Sequence, residues 1–237
     1  MATWSHRGTS DKLVLCFSGI GNNPNACPRY EFAAKATGNG QHNALFIADP
    51  NRTWLNAPDL LEQIANEIAA FKASCDVTRV IAMGHSMGGF CALVAPAITH
   101  VDSVLAFAPQ ISIHPKVVPN ETRWMGYREK ITRFRIISAG DHFNKDTAYT
   151  VIHGRHSCEA PQRDIFPKMA NLRHYIMPKT KHNVPQRLKS MNCLGEVIQY
   201  SIDDRPRKQR LLLKNKAGAV LLPHQGDPLK VEKSVSS

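Results

Sequence analysis

The chain has 237 residues, of which 43% are hydrophobic and 21% are charged. This length and composition exclude an intrinsically disordered chain and a miniature held together by disulfides, and they predict one full domain with appendages. The formal net charge is +11, so we expect the surface to attract anions. The cysteines show no Cys-x-x-Cys spacing, no apolar run approaches the ~18 residues of a membrane span, and the first residues lack a signal-peptide pattern. The sequence therefore predicts a soluble, cytoplasmic protein with reduced thiols.

Short apolar segments that end in turn residues alternate with helical segments along most of the chain. Strands are predicted at 12–17, 44–48, 79–83, 103–108, 134–138 and 173–177. Helices are predicted at 58–74 and 90–98, and Pro96 is expected to kink or end the second one. Apolar strands buried on both faces and alternating with helices are typical of parallel sheets. We therefore predict an α/β fold with a mostly parallel central sheet and helices on both faces.

The periodic pattern weakens after residue 202. The remaining segment carries eight Lys and Arg residues against four Asp and Glu residues, a net charge of +4. The chain is accordingly divided into an α/β domain at 1–202 and a basic C-terminal extension at 203–237, whose end is expected to be disordered.

The motif Gly84-His85-Ser86-Met87-Gly88-Gly89 lies directly between a predicted buried strand and a predicted apolar helix. A strand-to-helix turn this tight strains its central residue, and small residues on both sides let the strand and the helix pass closely. The Ser86 hydroxyl is expected to stand at the N-terminus of the helix, beside the backbone N–H of Met87.

With this motif in this context, the chain resembles the α/β-hydrolase superfamily over about residues 12–200. The resemblance implies a nucleophile, an acid and a histidine in that chain order at the ends of strands. Ser86 is then the nucleophile, Asp141 after the predicted strand 134–138 is the acid, and His182 after the last predicted strand is the base. Asp146 is the alternative acid. His153 and His156 remain open as alternative bases.

The resemblance also implies an oxyanion hole formed by the backbone N–H of Met87 and that of Gly19 or Ile20. Since only eleven residues precede Lys12, we expect a trimmed N-terminus that lacks the first two strands usual in the family. The segment 111–131 leaves room for a small lid or none. Aromatic residues near predicted strand ends could line a substrate pocket or belong to the core, namely Tyr30, Trp54 and Trp124.

These residues predict a serine hydrolase that cleaves an ester or thioester through an acyl-enzyme, without a metal or an organic cofactor. The substrate is expected to be a small-molecule or carbohydrate-linked acyl compound, and the positive net charge suggests an anionic one. An acyltransferase using the same residues is the first alternative. A non-catalytic binding module for an anionic partner is the second, and a nucleic-acid binder is a minor third.

Two competing sites carry weaker signals. Gly19-Ile20-Gly21 follows a strand, but Pro24 stands in place of the third glycine of a dinucleotide-binding loop. The spacing His153-x-x-His156-x-Cys158 could bind a metal, yet no second pair of ligands accompanies it. Ordinary loop and surface roles explain both patterns better.

Overall fold

The computed structural model describes residues 1–223, which contain one eight-stranded sheet. In chain order its strands are β1 Ala2–His6, β2 Lys12–Phe17, β3 Asn43–Ala48, β4 Arg79–His85, β5 Ser103–Phe107, β6 Ala148–Gly154, β7 Leu172–Met177 and β8 Val220–Leu221. The spatial order is β1-β3-β2-β4-β5-β6-β7-β8. The strands from β3 to β7 pair in parallel, whereas β1 and β8 lie antiparallel at the two edges. The predicted α/β fold with a mostly parallel sheet is confirmed.

Eight α-helices surround this sheet in the described part of the chain. They are α1 Ala33–Ala36, α2 Leu60–Lys72, α3 Met87–Val94, α4 Met125–Arg128, α5 Ala160–Arg163, α6 Val184–Ser190, α7 Leu194–Ile202 and α8 Pro206–Ala217. Helix α3 gives way to a 3-10 turn at Ala95–Ala97, as expected around Pro96. None of the helices in residues 1–223 is both long and apolar enough to cross a lipid bilayer.

Side chains of the central strands are buried on both faces of the sheet. In β2, Leu13, Leu15 and Phe17 belong to the core shared with α2 and α3, whereas Val14 and Cys16 belong to the core shared with α6, α7 and α8. This division follows from the two-residue period of a strand, which sends successive side chains to opposite faces. Burial on both faces explains why these strands read as continuous apolar runs.

The N-terminal edge of the sheet differs from the prediction. Ala2–His6 forms β1, which pairs antiparallel with β3, so a strand does precede Lys12. Its side chains are only partly buried or exposed, and Trp4 is 46% exposed. A half-exposed edge strand lacks the apolar run by which the inner strands were recognised.

The segment 134–138 is not a strand, contrary to the prediction. The backbone N–H groups of Arg135 and Ile136 donate to Asn56 Oδ1 at 2.6 and 2.9 Å, and Ile137 is 46% exposed. The sheet position next to β5 is instead taken by β6, a strand that was not predicted. Because the strand next to β5 is β6 and not 134–138, the acidic residue that follows this strand is a different one from the residue predicted.

The predicted boundary at residue 202 is not seen in the structure. Helix α8 buries Leu213 and Ala217 against the core that it shares with α7, and β8 extends the sheet beside β7. Gln209 on α8 donates to the carbonyl oxygen of Val197 at 2.9 Å. Residues 203–222 are therefore part of the α/β domain, and the predicted disorder of the chain end concerns 224–237, which lie outside the described residues.

Candidate active site

The sharp turn predicted around Ser86 is present between β4 and α3. Ser86 has φ 57° and ψ −122°, a conformation that residues with side chains rarely adopt. A Cβ atom at Gly84 would lie 2.3 Å from the carbonyl group of Gly88, and one at Gly88 would lie 2.1 Å from the carbonyl oxygen of Phe17. Side chains at these two glycines would therefore force strand and helix apart, and the turn would not close.

The structure brings His182 to the Ser86 hydroxyl. His182 lies in the loop between β7 and α6, and its Nε2 atom is 2.8 Å from Ser86 Oγ. His85 Nε2–H donates to the backbone carbonyl of His182 at 2.9 Å. Burial, together with the nearby His182, lowers the pKa of His85 to about 4, so His85 stays neutral and acts as a fixed donor at pH 7.

The acidic partner of His182 is Glu159, which follows β6. His182 Nδ1 is 3.1 and 3.3 Å from the two Glu159 carboxylate oxygens, so Nδ1–H donates to Glu159 and Nε2 is free to accept from Ser86. Glu159 is buried, and burial alone would raise its pKa. The hydrogen bond from His182 and the charge of Arg123 outweigh burial and lower the pKa to about 2, so Glu159 is a carboxylate at neutral pH.

Asp141 and Asp146 do not take this position. Asp141 is exposed in a 3-10 turn at Ala139–His142, and Asp146 is exposed in the loop before β6. Because 134–138 is not a strand of the sheet, Asp141 does not follow a strand end. The expectation that Asp141, or alternatively Asp146, orients His182 is not met, and Glu159 occupies that place.

Arg123 and Glu121 surround the buried carboxylate of Glu159. Arg123 forms ion pairs with Glu159 and with Glu121, which is 2.8 Å from the guanidinium group. The guanidinium also lies over the Trp124 ring, 4.3 Å from its centroid, and Trp124 in turn lies 5.3 Å from the His182 ring. The segment 111–131, considered above as a possible lid, therefore braces the acid and the base.

The backbone groups expected to form an oxyanion hole lie beside Ser86. Met87 is the first residue of α3, so its N–H has no partner within the helix. Gly19 and Ile20 line the same cavity as Ser86. The Gly19 N–H donates to Glu31 Oε2 at 3.4 Å, so a substrate oxygen that binds to Gly19 has to displace this carboxyl group.

Glu31 was not identified from the sequence. It is partly buried, and burial raises its pKa to about 7, although the hydrogen bond from Gly19 acts in the opposite direction. This carboxyl group follows a loop without regular structure, and no pattern in the sequence marks it.

A cavity of about 620 Å³ opens above Ser86 and His182. Its wall combines polar and apolar groups and is formed largely by the loop after β2. Besides residues already named, its members include Asn22, Asn23, Pro28, Arg29 and Gln186. Of the three aromatic candidates, Trp124 lines this cavity. Trp54 is fully buried in the core, and Tyr30 is 37% exposed and stacks on Trp4.

The other candidate sites are taken up by structural contacts. His153 Nε2–H donates to the carbonyl oxygen of Pro109 at 2.9 Å, and His153 Nδ1 accepts from His174 Nε2 at 2.9 Å. His156 Nδ1 accepts from the backbone N–H of Cys158. His153 and His156 thus lie in separate hydrogen-bond environments, neither of which reaches Ser86. A dinucleotide-binding loop leads directly into a helix. After Gly19-Ile20-Gly21 the next helix is α1, which begins only at Ala33, so this loop does not have that arrangement.

No protein-family model and no curated protein sequence matches the chain. Solved structures do resemble it. Capsule O-acetyltransferase of Neisseria meningitidis serogroup A superimposes with a TM-score of 0.59 at 13% identity, over 83% of this chain and 91% of that one. The acylaminoacyl peptidase of Pyrococcus horikoshii, an α/β-hydrolase, gives a TM-score of 0.57 at 12% identity, over 91% of this chain and 39% of that one.

A third structure, the glycosylation-associated Gap123 complex of Streptococcus agalactiae, gives a TM-score of 0.53 at 12% identity, over 87% of this chain and 43% of that one. At such identities the likeness concerns the fold. The sheet order, the turn at Ser86 and these structural neighbours agree, and the chain has the α/β-hydrolase fold.

Proposed function

We propose that the protein is a serine-dependent enzyme that cleaves an ester or thioester through an acyl-enzyme on Ser86. The observation that carries this proposal is the unbroken chain of hydrogen bonds from Glu159 through His182 to Ser86 at the strained turn. The fold alone does not support an activity, because the same fold serves many functions. The three side chains provide a nucleophile, a base and a group that orients the base.

In this mechanism Ser86 Oγ attacks the acyl carbon while its proton passes to His182 Nε2. Glu159 remains ionised and stabilises the imidazolium that forms. The N–H of Met87 and that of Gly19 or Ile20 bind the oxyanion, and each such donor contributes about a hundredfold or more in rate. The leaving alcohol or thiol takes the proton from His182, and a water molecule then repeats the sequence on the acyl-enzyme.

The cavity wall supports a small acyl group on a polar alcohol as the substrate. Asn22, Asn23 and Gln186 offer amide donors and acceptors that match the hydroxyl groups of such an alcohol. The same wall supports a second candidate, transfer of the acyl group to a hydroxyl of a bound acceptor in place of water. The structural neighbour from Neisseria meningitidis bears the name of an O-acetyltransferase, which agrees with this candidate.

Labelling with a fluorophosphonate probe tests the nucleophile and its activation together. We expect one label per molecule at pH 7.5, mapped to the peptide that contains Ser86, and none in Ser86→Ala. The same variant should lose turnover of a short-chain aryl ester by about a millionfold. An intact protein whose Ser86 resists the probe would contradict the proposal and favour a non-catalytic binding module.

Product analysis separates hydrolysis from acyl transfer. The protein is incubated with a short-chain aryl ester, with and without a monosaccharide acceptor. A hydrolase gives free acid in both reactions, whereas a transferase gives acylated sugar in the second. Both outcomes require Ser86, which the Ser86→Ala variant controls for.

A further inference from the structure

Besides His182, the side chain of Gln110 also contacts the Ser86 hydroxyl. Gln110 comes shortly after β5, the strand that pairs with the nucleophile strand β4, and it is fully buried. Its Nε2 atom is 3.2 Å from Ser86 Oγ. The backbone N–H of Ser86 also donates to the carbonyl of Phe107 at 2.9 Å, which ties the turn to the end of β5. Nothing in the mechanism above uses Gln110.

Trp54 fixes the direction in which the Gln110 amide points. The indole Nε1–H can only donate, and it lies 2.9 Å from Gln110 Oε1. A flipped amide would place its NH₂ group against this donor and its oxygen toward Ser86. The amide NH₂ is therefore directed at Ser86 Oγ, which accepts a hydrogen bond from it.

The two hydrogen bonds together define the geometry of the Ser86 oxygen. Oγ accepts from Gln110 through one lone pair and donates its proton to His182 Nε2. One lone pair then remains for attack on a carbonyl carbon. A hydroxyl held in this way does not have to find its reactive rotamer after the substrate binds.

We propose that Gln110 is a further catalytic residue, whose amide holds the Ser86 hydroxyl in its reactive direction and donates to Oγ when the bond between Oγ and the acyl group breaks. In that step Oγ gains negative charge until it recovers its proton from His182, and a fixed donor stabilises this charge. The inference rests on the function proposed above, since it concerns the same reaction.

The test measures how fast the fluorophosphonate labels the protein and how much of the protein it labels. In the labelling reaction a bond forms between Oγ and phosphorus, fluoride leaves, and the Ser86 proton passes to His182. Gln110→Met keeps a similar length but cannot donate. We expect its second-order labelling rate to fall about tenfold or more, with the final stoichiometry still at one label per molecule. Turnover of a short-chain aryl ester should fall at least as much.

Gln209→Met is the matched control. Gln209 is also buried and also donates through Nε2, but to Val197 and Ser201 on the side of the sheet opposite α3. This variant should be labelled at the wild-type rate even where its melting temperature falls. Trp54→Phe removes the indole N–H that holds the amide, and we expect a smaller decrease in labelling rate at full stoichiometry.

The outcomes separate this inference from the proposed function. A wild-type labelling rate in Gln110→Met overturns the inference and leaves the proposed function standing. A normal rate with reduced stoichiometry also overturns it, because it shows that Gln110 only supports folding. An unchanged rate in Trp54→Phe contradicts the orienting role of the indole. If the wild-type protein itself is not labelled, both proposals fail.

Discussion

Ser86 adopts a backbone conformation that costs on the order of 1–3 kcal/mol for a residue with a side chain. The surrounding structure holds it there through the bond from its N–H to Phe107 and through the close contact between Gly88 and β2. This conformation places the Ser86 hydroxyl at the N-terminus of α3, after the end of β4. The strain and the position of the hydroxyl thus have a common origin in the tight turn.

Glu159→Gln is expected to lower turnover of a short-chain ester by roughly a thousandfold to ten-thousandfold, as loss of the orienting carboxylate does in serine hydrolases. The amide of the variant cannot stabilise a protonated His182. Asp141→Asn, at the exposed position first predicted to be the acid, should retain wild-type turnover. Steady-state kinetics on both variants checks this, and a larger loss in Asp141→Asn would contradict the assignment of Glu159.

Glu31 leads to a prediction about stability and pH. Burial raises its pKa from 4.5 to about 7, so the folded state holds this proton more tightly than the unfolded state does. The resulting stabilisation is complete below pH 4.5 and is lost as the pH rises to 7, with a size on the order of 3 kcal/mol. Glu31→Gln should therefore gain stability over the wild type as the pH is raised from 4.5 to 8. Urea denaturation at both pH values measures the difference.

The exposed residue Gln63, which does not titrate, provides the control for this experiment. The difference in unfolding free energy between Gln63→Asn and the wild type should be the same at both pH values. If the Glu31→Gln difference were equally constant, Glu31 would not be the partly buried acid described above.

At the level of elements, the inner strands were predictable because they are apolar on both faces. Strand β6 has the sequence AYTVIHG, in which Thr150 and His153 interrupt the apolar run although both are buried. The segment FRIIS at 134–138 has the stronger apolar pattern, yet two of its backbone N–H groups donate to the Asn56 side chain and not to a neighbouring strand. Ser86 and His182 follow strands that the sequence marks clearly, so they could be predicted. Glu159 follows β6, and because this strand was not predicted, the acid could not be predicted either.

Arg52 organises the loop that follows β2. Its buried guanidinium donates to the carbonyl oxygens of Ile20, Asn23 and Ala26 at 2.7–2.8 Å and to that of Pro50 at 2.6 Å. A planar group with five N–H donors can reach four carbonyls at once, whereas the ammonium of a lysine presents three donors from one point. Arg52 therefore fixes the cavity wall and the N–H groups of Gly19 and Ile20.

Arg52→Lys is expected to loosen this loop, because at least one buried carbonyl loses its donor. We expect faster proteolytic cleavage within 20–26 and fluorophosphonate labelling of Ser86 that is slower by about tenfold. Limited proteolysis and labelling kinetics measure the two effects. Arg207→Lys, on the exposed side of α8, should change neither. Labelling at the wild-type rate would show that the loop does not depend on the guanidinium group.

At the level of the whole molecule, the α/β domain continues past residue 202, where the composition placed its end, because α8 packs on it and β8 extends the sheet. The basic run around α8 is compatible with folding because its charged residues lie on the exposed side of the helix, while Gln209, Leu213 and Ala217 are buried. The net charge was thus a poor guide to the domain boundary, because it describes the exposed surface of a helix and does not show whether the other side of that helix packs on the core.

Two buried histidines between the end of β6 and β7 make the whole fold sensitive to acid. Burial lowers the pKa of His153 from 6.5 to about 4 and that of His174 well below 6.5. The unfolded chain takes up these protons near pH 6.5, whereas the folded chain does not take up the His153 proton until about pH 4. The contribution of these two groups to the free energy of unfolding is therefore fully present above pH 6.5. It is lost as the pH decreases below 6.5, by about 1.4 kcal/mol per pH unit for each group.

Replacing His153 by Gln should reduce this sensitivity to acid. The glutamine keeps a donor and an acceptor but does not titrate, so between pH 6.5 and pH 5 the variant should lose about 2 kcal/mol less stability than the wild type. Urea denaturation at both pH values gives the two losses. Gln209→Met is the control, because it changes a buried side chain that does not titrate, and it should lose as much as the wild type does. Equal losses in His153→Gln and wild type would show that His153 is not held neutral in the folded state, since its ring would then bind a proton as readily there as in the unfolded chain.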